Sequence, residues 1–92
     1  MALQILSSPP PEPEEMVDKL QKAIEAAIAG ARVEVTPGGP GHFELTVESA
    51  SFEGLSRVKQ QQKVYAAIAH LMAGDAAPVH AIDRMVIRIP EA

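Results

Sequence analysis

Apolar residues recur at two different periods along this chain, and the changes of period divide it into elements. From Pro13 onward, Val17, Leu20, Ile24 and Ile28 fall three or four residues apart, the spacing that gathers side chains on one face of a helix. Proline at an early helical position, Glu14 and Glu15 in the first turn and Gly30 beyond the last apolar residue suit the start and end of that helix. The period then becomes two. Val33 and Val35, and later Phe43, Leu45 and Val47, alternate with Arg32, Glu34, Glu44, Thr46 and Glu48, which predicts strands over 31–36 and 42–49 in a sheet with one wet face. Between them Pro37 to Gly41, reading PGGPG, is too rich in Gly and Pro for regular structure and predicts a mobile loop that ends on an accessible His42.

The helical period returns after Phe52. Ser56 suits an N-cap, and Val58, Tyr65, Ile68 and Met72 predict the apolar stripe of a second long helix ending before Gly74, with Gln61 or Gln62 where the stripe is interrupted. The last segment, 79–89, is rich in Val and Ile, and a strand after a long helix usually returns parallel to an earlier one by a right-handed crossover. The predicted order is helix, strand, strand, helix, strand, an α+β sandwich. Residues 1–12 hold three of the eight prolines with two serines and Glu12, which predicts a flexible N-terminal tail ahead of one domain over 13–92.

Composition narrows the chemistry available to such a domain. A chain of 92 residues fits one small domain, and with two Phe, one Tyr and no Trp its core must be aliphatic. Without cysteine there is no disulfide, no thiol nucleophile and no self-contained thiolate metal site. Net charge is −4, yet residues 1–53 carry nine acids and three bases, whereas residues 54–92 carry three acids and five bases, so the C-terminal half is the electropositive one. No apolar run is long enough to span a membrane and the first residues, MALQILSSPPPEPEEM, lack the basic residues of a signal or transit peptide, which leaves the cytoplasm as the expected location.

The stretch from Phe52 to Tyr65, FEGLSRVKQQQKVY, joins a turn, a helix start and a Gln triplet. An aromatic, a residue and Gly, then a Ser-initiated helix leading to Val-Tyr and later a Val-His-Ala strand start, appear as Phe52, Gly54, Ser56, Val64, Tyr65, Val79, His80 and Ala81. Over about residues 14–90 this pattern resembles the BolA-like family, and the run SRVKQQQ resembles its YrbA (also called IbaG) branch in particular. Many members carry Arg-His where this chain has Gln60 and Gln61, so properties tied to that pair are not carried over.

The resemblance implies a class II KH-like fold, a three-stranded mixed sheet with both helices on one face. It also implies a role in iron-sulfur trafficking, iron regulation or stress response, as an adaptor that pairs with a monothiol glutaredoxin and shares a [2Fe-2S] cluster with it and glutathione. The family's ligand positions, one histidine in the Gly/Pro loop and one at the last strand, fall on His42 and His80. The donor chemistry is compatible. Such a cluster needs four terminal ligands, this chain offers imidazoles without thiolates, and a set of two histidines and two sulfurs is Rieske-like. Alone, the chain is expected to be a monomer or weak homodimer.

Blander readings stand beside these. A histidine at a strand start is more often a surface or satisfied core residue than a ligand, and His70, inside the second helix, reads as solvent-facing. His80, Asp83 and Ser56 could be drawn as a triad, but no nucleophile elbow or oxyanion loop accompanies them, and no enzyme activity is expected. The three glutamines suit a neutral helix surface, while Phe52 and Gly54 read as the anchor and the relief of a tight turn. The main rival is a nucleic-acid-binding regulator, because the fold is KH-like and Arg57, Lys59, Lys63, Arg84 and Arg88 could gather into a basic patch. Against it, KH domains grip the backbone with a GxxG loop between helices, whereas Gly38, Gly39 and Gly41 lie between strands. The same cations could equally be a docking surface for a glutaredoxin and the carboxylates of its glutathione.

Overall fold

The architecture follows from a computed structural model, which describes residues 13–73 and 77–90; the N-terminal tail assigned to 1–12 lies outside the described residues. Helix α1 (Pro13–Ala27) and helix α2 (Arg57–Met72) lie on one face of a sheet made of β1 (Arg32–Pro37), β2 (His42–Glu48) and β3 (Ala81–Arg88). Strand β2 is central: β1 pairs with it antiparallel and β3 pairs with it parallel. A parallel pair needs a long connection, and α2 is carried by it. No helix among the described residues is long and apolar enough to cross a membrane.

Three elements meet in an aliphatic core. Met16, Leu20 and Ile24 of α1, continued by Ile28 just past its end, form a ridge buried at a strict spacing of four, with Val17 only partly covered beside it. Beyond Ala27 the chain leaves the helix through Gly30, whose φ of 66° is costly for any residue with a Cβ. Val33, Phe43, Leu45 and Val47 point from the sheet into this core, as the alternation requires. Glu34, Thr36, Glu44, Thr46, Arg84 and Arg88 line a shallow depression on the opposite, open face. Ser49, 1% exposed at the end of β2, donates its hydroxyl to Ala29 O at 2.8 Å and accepts from Ser51 N at 3.1 Å, so its burial leaves no polar atom unpaired.

Helix α2 starts as its sequence suggests and then turns a different face to the core. Ser56 Oγ caps it by accepting from Lys59 N at 3.2 Å, after a turn anchored by the fully buried Phe52 and relieved by Gly54 at φ 84°. The buried residues are Val64 and Ile68, flanked by partly buried Ala67, Leu71 and Met72. Val58 and Tyr65 are 60% and 41% exposed, which corrects the stripe drawn through them. Gln61 and Gln62 are exposed as well, and it is Gln60, four residues before Val64, that lies against the turn. Its amide donates to Phe52 O at 3.2 Å and to Leu55 O at 3.1 Å, tying the helix to the segment that leads into it. The helix phase explains the correction: Val64, Ala67, Ile68 and Leu71 stand at i, i+3, i+4 and i+7, a set that excludes Val58 and Tyr65.

The Gly/Pro segment is a hydrogen-bonded turn rather than an open loop. Pro37 still belongs to β1 and pairs with Phe43. Gly38 N donates to His42 O at 2.8 Å and His42 N donates to Gly39 O at 2.9 Å, which closes the hairpin. Gly41 O then accepts from His80 N at 2.8 Å and from Ala81 N at 3.2 Å, clamping the turn to the entry of β3. Gly41 has φ 76°, and a Cβ there would stand 2.9 Å from His80 Cγ and closer still to Cδ2. The His80 ring therefore lies directly against the glycine.

Two outcomes test this packing. In chemical denaturation Ile68→Ala is expected to cost about 2–5 kcal/mol through the cavity it leaves, and Val58→Ala less than about 0.5 kcal/mol; equal costs would contradict the helix phase. Gly41→Ala is expected to lose about 1–3 kcal/mol through its left-handed backbone and to displace the His80 ring, read as a shift of the His80 imidazole NMR signals. Gly39→Ala, with open space around its Cβ position, serves as the control.

Candidate metal-binding site

The register between β2 and β3 brings the two predicted histidines to one end of the sheet. His42 opens β2 and its Cα partner is Ala81, the residue that follows His80. His80 itself precedes β3 by one residue, is exposed, and rests against Gly41, the residue before His42. A separation of 38 residues in sequence thus becomes adjacency across one strand pair. It is fixed by backbone hydrogen bonds and by the lack of a side chain at Gly41.

His42 has a partner that its sequence position did not announce. Its Nδ1 lies 2.9 Å from Asp83 Oδ1, with the two side chains 43% and 49% exposed. Asp83 reaches it from a β-bulge: Ile82 pairs with Phe43 and Arg84 with Glu44, so Asp83 has no Cα partner on β2. The extra residue lets Ile82 and Met85, three apart, both pack toward the core. A regular strand would turn one of them outward. A run of Ala-Ile-Asp-Arg-Met-Val-Ile carries a signal for this, since its apolar residues break the period of two at Asp83.

The remaining candidates separate. Ser56 is occupied as the cap of α2 and Asp83 bonds His42 rather than His80, so the Ser56, His80 and Asp83 set does not form a relay. His70 is exposed in the last turn of α2. Arg57, Lys59 and Lys63 lie on α2, whereas Arg84 and Arg88 lie on the open sheet face beside their cross-strand partners Glu44 and Glu48. The five cations therefore do not form one patch, and acids intervene on the sheet.

The donor set is small and nitrogen-based. With Nδ1 of His42 facing a carboxylate, Nε2 is the nitrogen left for an outside ligand, and His80, against Gly41 at the same end of the strand pair, supplies a second exposed imidazole. Among the described residues no group of three or more His, Cys, Asp or Glu side chains is placed to hold a metal ion. Two imidazoles fit half of a [2Fe-2S] ligand set, and a chain without cysteine cannot supply the other half.

Comparison with known proteins agrees with this architecture. A sequence model of the family described as BolA-like protein matches residues 20–88. The human protein BolA-like protein 1 is 38% identical over 69 residues, which cover 70% of this chain and 48% of that protein. The chain thus spans about half the length of the curated relatives it matches. Among solved structures, a BolA homologue from Coxiella burnetii superposes with a TM-score of 0.65 at 27% identity, covering 79% of this chain and 88% of that one. BolA1 from Mus musculus gives a TM-score of 0.65 at 26% identity, covering 91% and 71%. Sequence match, strand order and helix placement together assign this chain to the BolA-like protein family.

Proposed function

We propose that this chain is a non-enzymatic adaptor that pairs with a monothiol glutaredoxin and, in the pair, binds or transfers a [2Fe-2S] cluster in iron-sulfur trafficking or iron regulation. His42 and His80 are its ligands, and the partner's cysteine and glutathione supply the two sulfurs. The observation that supports this reading is the pairing of His42 with Ala81, which brings the backbone of both histidines to the same end of the β2–β3 strand pair with their side chains open to solvent. Histidine ligation at one iron raises the reduction potential relative to an all-thiolate cluster, a property suited to a carrier that must accept and release its cargo. Arg57 and Lys59, both exposed in the first turn of α2, offer charge to the carboxylates of glutathione or of the partner.

The nucleic-acid reading draws less support. Its cations are split between α2 and the open sheet face, and its glycines form a hairpin turn instead of a helix–helix grip.

Anaerobic reconstitution with a monothiol glutaredoxin, glutathione, iron and sulfide tests the proposal through visible absorption and circular dichroism. The expected outcome is a spectrum specific to the heterodimer that is lost in His42→Ala and in His80→Ala. A spectrum equal to that of the glutaredoxin homodimer, or one that survives both substitutions, would contradict it.

A further inference from the structure

The geometry points to Asp83 as the positioning residue that holds His42 in its Nδ1–H tautomer and turns Nε2 outward toward the ligand. The inference rests on the ligand role proposed for His42 and adds how the chain prepares it. An ionised carboxylate only accepts hydrogen bonds, so a neutral imidazole 2.9 Å from Asp83 Oδ1 must carry its proton on Nδ1 and its lone pair on Nε2. A free imidazole has no such constraint and also rotates about its side-chain bonds. The Asp83 contact removes both freedoms before any ligand arrives.

The strand bulge is what makes this contact available. Placed in regular register, residue 83 would take a cross-strand partner on β2; as the unpaired residue between Ile82 and Arg84 it instead turns toward the first residue of β2. Asp83 Oδ2 also faces the Gly38 backbone, where a Cβ would lie 3.8 Å away, so the carboxylate fits between the hairpin turn and the His42 ring. The two histidines are thus oriented by different means. His80 is set by contact with Gly41, and among the described residues it has no bonded carboxylate, whereas His42 is set by one. Hydrogen-bonded carboxylates behind ligating histidines fix ring orientation and raise ligand basicity, and their loss typically weakens metal holding by about 10–100-fold.

The test begins on the full chain without metal, 15N-labelled at histidine and studied by imidazole NMR at about pH 8.5, above the ordinary histidine range. His42, identified by the signals missing from His42→Ala, is expected to show a protonated Nδ1 and a bare Nε2. Asp83→Ala, which removes an exposed side chain and no core atom, is expected to return His42 to the mixed pattern of a free imidazole while His80 and His70 stay unchanged. A proton on Nε2 of His42 in the native chain, or a His42 pattern indifferent to Asp83→Ala, would overturn the assignment. In the reconstituted glutaredoxin complex Asp83→Ala is expected to lose its cluster to a chelator about 10–100-fold faster than wild type; equal retention would overturn the positioning role. Failure of the ligand proposal itself is distinguishable, because a cluster not ligated by His42 gives the same spectrum in wild type and His42→Ala whatever the tautomer.

Discussion

The parallel pairing of β2 with β3 is the constraint on which the rest of this molecule depends. It sets His42 opposite Ala81, lays the His80 ring on Gly41 and, through one bulge, delivers Asp83 to the His42 ring. None of these contacts is local in sequence, so the site exists only when the whole sheet has formed. Loss of the fold and loss of the site are therefore one event.

The helices serve that pairing. Helix α2 lies in the connection between β2 and β3, and its register is fixed at both ends: Ser56 and Gln60 tie its start to the Phe52 turn, and Val79 N bonds to Leu71 O at 3.2 Å where the chain leaves toward β3. Val64 and Ile68 press it onto a core shared with Leu20 and Ile24 of α1, Ile28 just beyond it, and Leu45 and Val47 of β2. A core of aliphatic side chains with two buried phenylalanines, Phe43 and Phe52, owes its order to close packing more than to bulk, so hydrogen-bonded caps and turns contribute to holding the strands in register.

Much of this was legible in the chain. Alternation identified β1 and β2 and their inner faces, and the helical period found Leu20, Ile24 and Ile28 but entered the first helix at Val17, where Met16 is the buried residue. Both histidines were singled out at strand starts, but their adjacency was visible only through resemblance, because no periodicity encodes which strand pairs with which. The phase of α2 differs from the stripe drawn in the sequence because Val58 and Tyr65 count as apolar by composition, while the small Ala67 does not draw attention as core. Asp83 was noticed beside His80 in sequence and proved to belong to His42 in space. A bulge breaks the period of two by one residue, and a broken period is harder to recognise than a kept one. The hairpin turn carried the opposite lesson: Gly and Pro correctly marked irregular backbone, yet the same small residues allow the close backbone approaches that pin it.

The central claim is that two imidazoles from this chain act together on one iron. It is tested most directly by pulsed electron paramagnetic resonance of the reduced heterodimer, assembled from a chain 15N-labelled at histidine and an unlabelled glutaredoxin. The account predicts hyperfine couplings from two distinct 15N nuclei, one removed by His42→Ala and the other by His80→Ala. A reduced cluster with no coupling to labelled nitrogen would contradict it.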